Sequence, residues 1–314
     1  MKTPTGLNLP IVRKKDAIGK LSSPRGVENI NLSKKSAVDS ALKTNSASVQ
    51  KEVFTSVKGL DLVLVGDLTG SMASYHALLK EKFVFLCNEL FSLIPNLRIG
   101  IVFYLDHGSG DPYETSVQEL TVNRQELVNF IQATVTGCGG DADEAVEDAL
   151  HVLESRMNWK ESNSRSVVIF GDASPHPANQ CPYHYDYFDI TCQLVQKNVT
   201  INSVYCENSL GQEQLQKLED VGVGDFSHKH SYLCAPNFFS WIANVTGGMI
   251  IGVDRIEDLL DIIMASAAKD SGHLDDLEKK IKITNPNKLK LIEVARKASI
   301  RKSLKNGEGL KRLN

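Results

Sequence analysis

Hydrophobic and polar positions divide the chain into three textures. Up to about residue 55, segments such as NLSKKSAVDSALKTNSASVQKE show little periodicity and too little apolar surface to order themselves. From Val57 the texture changes to short apolar runs separated by helical patterns. Apolar runs at 61–65, 98–105, 166–170, 199–205 and 249–253 predict buried strands. The loosely alternating YETSVQELT at 113–121 predicts an edge strand. Helical spacing predicts helices over 71–93, 123–135, 185–197, 236–245 and 256–268, with another starting at Asp141. Strands alternating with helices in this way predict an α/β fold, a doubly wound and mostly parallel sheet with helices on both faces. The expected organisation is a disordered basic arm at 1–56, the α/β domain at 57–268, and a basic, partly helical tail at 269–314.

In a sheet of this kind the ligand crevice lies outside the carboxyl ends of the strands. Asp67, Asp106 and Asp172 all fall at such predicted ends, and Asp141 follows the glycine turn made by Gly137, Gly139 and Gly140. The stretch LDLVLVGDLTGSM runs from a buried strand into Asp67, Thr69 and Ser71, oxygen-bearing side chains at every second position. Alternate residues of an extended turn point the same way, so a carboxylate and two hydroxyls converge. An all-oxygen set favours a hard cation such as Mg2+. The competing reading is that one of the three caps the following helix. Acidic groups gathered at one edge repel each other unless a cation offsets them, which favours the first reading.

Charge sharpens this picture. The net charge of −3 conceals +6 over residues 1–56, +7 over 269–314 and −16 between them. An acidic centre suits a cation site, and the basic ends suit an acidic partner, a nucleic acid or a membrane surface. The six cysteines are scattered without a CxxC pair, which argues against a disulfide framework in a chain of 314 residues. The first residues lack the apolar core of a signal peptide, and no run is long enough to span a membrane. The expected location is therefore the cytoplasm, where sequons at Asn31, Asn198 and Asn244 have no glycosylation to direct.

The Asp67-Leu68-Thr69-Gly70-Ser71 segment after a buried strand resembles the metal-ion-dependent adhesion site of von Willebrand factor A domains. GCGGDADEAVEDAL resembles the glycine-rich second loop of that family, and VVIFGDASPH its third. YLDHG, Trp159 and FSWIANVTGGMI are similar to the branch linked to alpha-kinases and hemicentin-like proteins. The likeness covers about 57–268. It implies that Asp67, Thr69, Ser71, Asp141 and Asp172 form the site, with Thr69 standing for the usual serine and keeping its hydroxyl. Many members have threonine where Asp141 stands, and a carboxylate there binds either directly or through water. The resemblance further implies Mg2+, or Mn2+ or Ca2+, with one coordination position filled by an acidic residue of a protein partner. A binding module without catalysis is expected.

Other constellations point elsewhere. An Asp ending a first strand also heads haloacid-dehalogenase phosphatases, in which Asp67 would be the nucleophile. That family needs a second Asp two residues on, and this chain has Thr69. His176, Cys181 and His184 form H-x4-C-x2-H with Cys192 nearby, a spacing compatible with zinc, and His228, His230 and Cys234 make a weaker cluster. Asp106-His107 reads as a strand-end turn, Cys138 as a small filler of the glycine turn, and Glu144 as a cap or ion-pair partner within its own helix. In the tail, Leu291, Val294, Ala295 and Ala298 fall on one face of a basic amphipathic helix, which offers a second mode of recognition, a scaffold acting through its tails with a vestigial metal site. Ser299 and Ser303 follow basic residues, where phosphorylation would weaken such contacts.

Overall fold

A computed structural model describes residues 58–108, 110–206, 233–253, 255–284 and 288–305, with side chains described as far as 299. The expected arm at 1–56, the histidines at 228 and 230, and the side chain of Ser303 lie outside the described residues. Everything described belongs to one compact unit, Thr55–Asn314.

The strands are β1 (Leu60–Asp67), β2 (Leu97–Tyr104), β3 (Thr115–Thr121), β4 (Asp143–Glu144), β5 (Ser164–Gly171), β6 (Ser174–Pro175), β7 (Val199–Tyr205) and β8 (Ile250–Gly252). The helices are α1 (Ala73–Leu93), α2 (Arg124–Ala133), α3 (Val146–Ser155), α4 (Tyr187–Gln196), α5 (Ala235–Thr246), α6 (Asp258–Ser271), α7 (Leu274–Thr284) and α8 (Leu289–Lys305). A single 3-10 turn, Gly70–Met72, joins β1 to α1.

Six strands form one sheet in the order β3-β2-β1-β5-β7-β8. All pairs are parallel except β2 with β3, which is antiparallel and carries an irregularity between Ile99 and Ile101. The expected doubly wound, mostly parallel α/β fold is thus observed, with 113–121 realised as the edge strand β3. Every residue of β1 is buried, as a central parallel strand requires. Its alternate side chains feed two layers. Leu60, Leu62 and Leu64 pack with Leu79, Phe83 and Leu90 of α1 and Leu259 and Ile263 of α6. Val63 and Val65 pack with Leu150 of α3, Leu194 of α4 and Phe238 of α5.

Two expectations change in the structure. The helix expected from Asp141 begins at Val146, because Asp143–Glu144 first pairs in parallel with Ser174–Pro175. Beyond residue 268 the chain is packed helix over its described part. Leu274, Leu277 and Ile281 of α7 and Ile292, Ala295 and Ala298 of α8 bury against Ala265 and Ala268 of α6. No helix among the described residues is long and apolar enough to cross a membrane.

Candidate metal centre

The strand order reverses around β1, which lies between β2 and β5, so its carboxyl end opens onto the switch point of the sheet. Asp67 is the last residue of β1 and is 1% exposed. Its Oδ1 accepts the Thr69 backbone N–H at 2.8 Å and the Thr69 hydroxyl at 2.7 Å. The Thr69 and Ser71 hydroxyl oxygens lie 3.4 Å apart, and Ser71 donates to Asp172 Oδ1 at 3.1 Å. Four of the five expected residues therefore form one connected group drawn from the β1 and β5 ends. Neither the 3-10 turn nor α1 receives a side-chain cap, so the hydroxyls of Thr69 and Ser71 are not spent on helix capping.

Asp67 Oδ2 is buried without a hydrogen-bond partner. Burial, reinforced by Asp172 and Asp106 and opposed by the Thr69 hydrogen bonds, pushes the Asp67 carboxyl up to about 7. A Cβ on Gly171 would lie 2.5 Å from Tyr104 Oη and 3.4 Å from Asp67 Oδ2, so glycine keeps this wall of the carboxylate clear. An orphaned buried carboxylate oxygen within an all-oxygen group fits a hard divalent cation.

Asp141, the fifth expected residue, stands apart from that group. Its side chain is 71% exposed, its Oδ1 accepts the Asp143 N–H at 2.9 Å, and that oxygen lies 3.7 Å from His176 Nε2. The residue facing the group from the second loop is Glu144. It is buried, its Oε2 is unpartnered, and burial followed by Asp67 and Asp106 raises its carboxyl to about 9. The expected role of Glu144 within its own helix is not the one the structure gives it. The bridge to β6 turns this residue inward before α3 begins.

The second loop hangs on two aspartates between β2 and β3. Asp111 accepts the Cys138 N–H at 2.9 Å and the Gly139 N–H at 3.3 Å. Asp106 accepts the His107 N–H at 2.6 Å and the Asp141 N–H at 3.3 Å. Gly139 takes φ 71, a left-handed value that favours glycine. Asp106 thus closes the expected strand-end turn and also holds the loop. Asp111 has no sequence signal beyond its acidity.

A second cluster adjoins the first. His107 Nε2 lies 3.0 Å from Glu147 Oε1 and 2.9 Å from Asp148 Oδ2. Cys181 Sγ lies 4.0 Å from Asp148 Oδ2. His176 reaches Asp106 Oδ1 at 3.5 Å and, through Nδ1, Glu147 Oε1 at 3.4 Å. Burial works against protonating His176, but the Glu147 hydrogen bond and the Glu147, Asp106 and Asp141 carboxylates prevail and raise it to about 9. Burial and then Glu147 raise Asp148 to about 6. Of the expected H-x4-C-x2-H set, His176 and Cys181 join this cluster. His184 instead donates from Nδ1 to the Ala178 carbonyl at 3.1 Å on the surface.

No family model matches this chain, and no curated protein matches it. Among solved structures it is similar to proximal thread matrix protein 1 from the mussel byssus, at 12% identity and a TM-score of 0.46 over 68% of this chain and 47% of that one. A second structure of that protein, with a zinc-occupied MIDAS motif, gives 12% identity and a TM-score of 0.45 over 67% and 45%. This chain spans less than half the length of those chains.

Proposed function

We propose that this chain is an A-type domain that binds a protein partner through a divalent cation. The observation that carries the reading is the buried, unpartnered Asp67 Oδ2 at the switch point, within the group that links Asp67, Thr69, Ser71 and Asp172. These four residues hold the ion, and Asp141 acts as an outer carboxylate through water. Mg2+ is the preferred cation, with Mn2+ and Ca2+ as substitutes, since every donor is oxygen. The ion supplies a Lewis-acidic position for an acidic residue of the partner. The chain's own part is to orient the donors.

Binding without catalysis is the better reading because Asp67 is 1% exposed and Thr69 occupies the place where a phosphatase needs its second Asp. The scattered cysteines support an intracellular site of action. Recognition through the tails is the weaker alternative, since the apolar side of α8 is already buried on the domain.

Calorimetric titration of the chelator-treated full chain with Mg2+ and Mn2+ tests the proposal. Saturable binding is expected, weakened roughly tenfold or more in Asp67→Ala, a loss of at least about 1.4 kcal/mol. Equal binding by a folded Asp67→Ala protein overturns it.

A further inference from the structure

The cluster beside the proposed Mg2+ site differs from it in chemistry. Its donors are an imidazole, two carboxylates and a thiol, from His107, Glu147, Asp148 and Cys181. One ligand atom from each of these side chains lies within 4.8 Å of all the others. Four ligands around a tetrahedral zinc at ordinary bond lengths stand roughly 3.3–3.8 Å from one another. Three of the six separations, 2.9, 3.0 and 4.0 Å, fall on either side of that range. The side chains of His107, Glu147 and Asp148 are 8%, 0% and 9% exposed, and Cys181 is 1% exposed.

Ion pairing alone leaves this cluster incomplete. His107 Nδ1 is buried without a hydrogen bond. His176, whose side chain is 6% exposed, aims its Nδ1 into the cluster, 3.4 Å from Glu147 Oε1. Its backbone N–H meanwhile holds Glu147 Oε2 at 3.0 Å, leaving Oε1 turned toward His107. A ligand carboxylate oriented through its other oxygen is the usual support of a protein metal site. A cleft of about 230 Å3 lined by Asp148, Tyr183 and Tyr185 opens beside the cluster.

We infer that His107, Glu147, Asp148 and Cys181 bind a second divalent cation of the borderline-soft class, Zn2+ above all, at a site separate from the Asp67 group. With four protein donors the site is closed and structural. It pins the end of β2, the first turn of α3 and the loop before α4 to one point. Those segments also carry Asp106 and His176, so the ion steadies the loop that bears Asp141 and Glu144.

Co2+ added to the chelated full chain is the probe, because cobalt bound to a thiolate gives a charge-transfer absorption in the near ultraviolet. The band is expected in the wild type, retained in Asp67→Ala and lost in Cys181→Ser. Zn2+ is expected to suppress it by competition, and the Co2+ concentration that half-saturates the band is expected to rise about tenfold or more in His107→Gln. Absence of the band in the wild type overturns the inference, and so does its persistence in Cys181→Ser, which would assign it to another thiol such as the exposed Cys138. If Cys181→Ser fails to fold, folded His107→Gln decides the matter: a weaker Co2+ band is expected, and an unchanged Co2+ titration overturns the inference. Because Asp67→Ala is the control, failure here and failure of the Mg2+ proposal are distinguishable.

Discussion

Asp61 and Asp67 lie on the same face of β1, both fully buried, and differ in what surrounds them. Asp61 is saturated. It receives Arg98 through two bonds at 2.9 and 2.6 Å, the Lys160 N–H at 2.7 Å and the Asn163 amide at 2.7 Å. Asp67 keeps one oxygen without a partner. The first carboxylate therefore holds the amino end of the sheet, and the second is left for chemistry. Asp61→Ala orphans the Asn163 amide and the Lys160 N–H and leaves the Arg98 guanidinium only its bond to the Asn158 carbonyl. It is expected to cost about 3–5 kcal/mol in urea unfolding while leaving the carboxyl-end loops in place. His76 shows how a network fixes a proton. Thr134 spends its hydroxyl hydrogen on the Ile131 carbonyl at 2.7 Å, so His76 Nε2 must donate to Thr134 Oγ1 at 2.8 Å. Burial, with Lys80 adding to it, lowers His76 from 6.5 to about 4. The unfolded chain then takes up this proton before the folded one does. The contribution is complete above about pH 6.5 and is lost as pH falls toward 4, by up to about 3 kcal/mol. Gln at this position keeps an amide donor and does not titrate, so unfolding free energies of His76→Gln are expected to fall less steeply over that window than those of the wild type.

Among the elements, α7 and α8 change the picture most. Sequence patterning offers Leu291, Val294, Ala295 and Ala298 as a face for some partner. In the structure Ile292, Ala295 and Ala298 are buried against α6 and α7, and Leu291 and Val294 pack at the margin. Leu274, Leu277 and Ile281 fall on one face of α7 at helical spacing, with charged residues between them. Ala295 is fully buried, so Ala295→Glu forces a carboxylate into this seam. A loss of about 2 kcal/mol or more is expected in chemical denaturation, with faster amide exchange over 289–299. Unchanged stability and exchange would mean that α8 does not need this seam.

For the whole molecule, the legible parts are those in which neighbouring residues suffice. The apolar runs of β1, β2, β5 and β7 are long and uninterrupted, and a parallel sheet follows from helices between them. Asp67, Thr69 and Ser71 were legible because an extended turn aligns alternate residues, and Asp172 because it directly follows β5 beside them. The second cluster was only half legible. Cys181 and His176 carry a local spacing, whereas His107 meets Glu147 and Asp148 only because β2 and α3 are brought together by the fold. The direction of Glu144 was hidden for the same reason, since it depends on the two-residue bridge to β6.

The charge asymmetry gains a physical meaning once α7 and α8 are seen in place. The described helices of the segment with net +7 pack on the domain, whose stretch 57–268 carries net −16, and Lys280 pairs with Glu89 while Lys288 pairs with Asp261. Dissolved salt neutralises an acidic surface only at a suitable concentration. A helical pair joined by peptide bonds is a tethered counterion that dilution cannot remove, so part of the domain's self-repulsion stays cancelled even in dilute buffer.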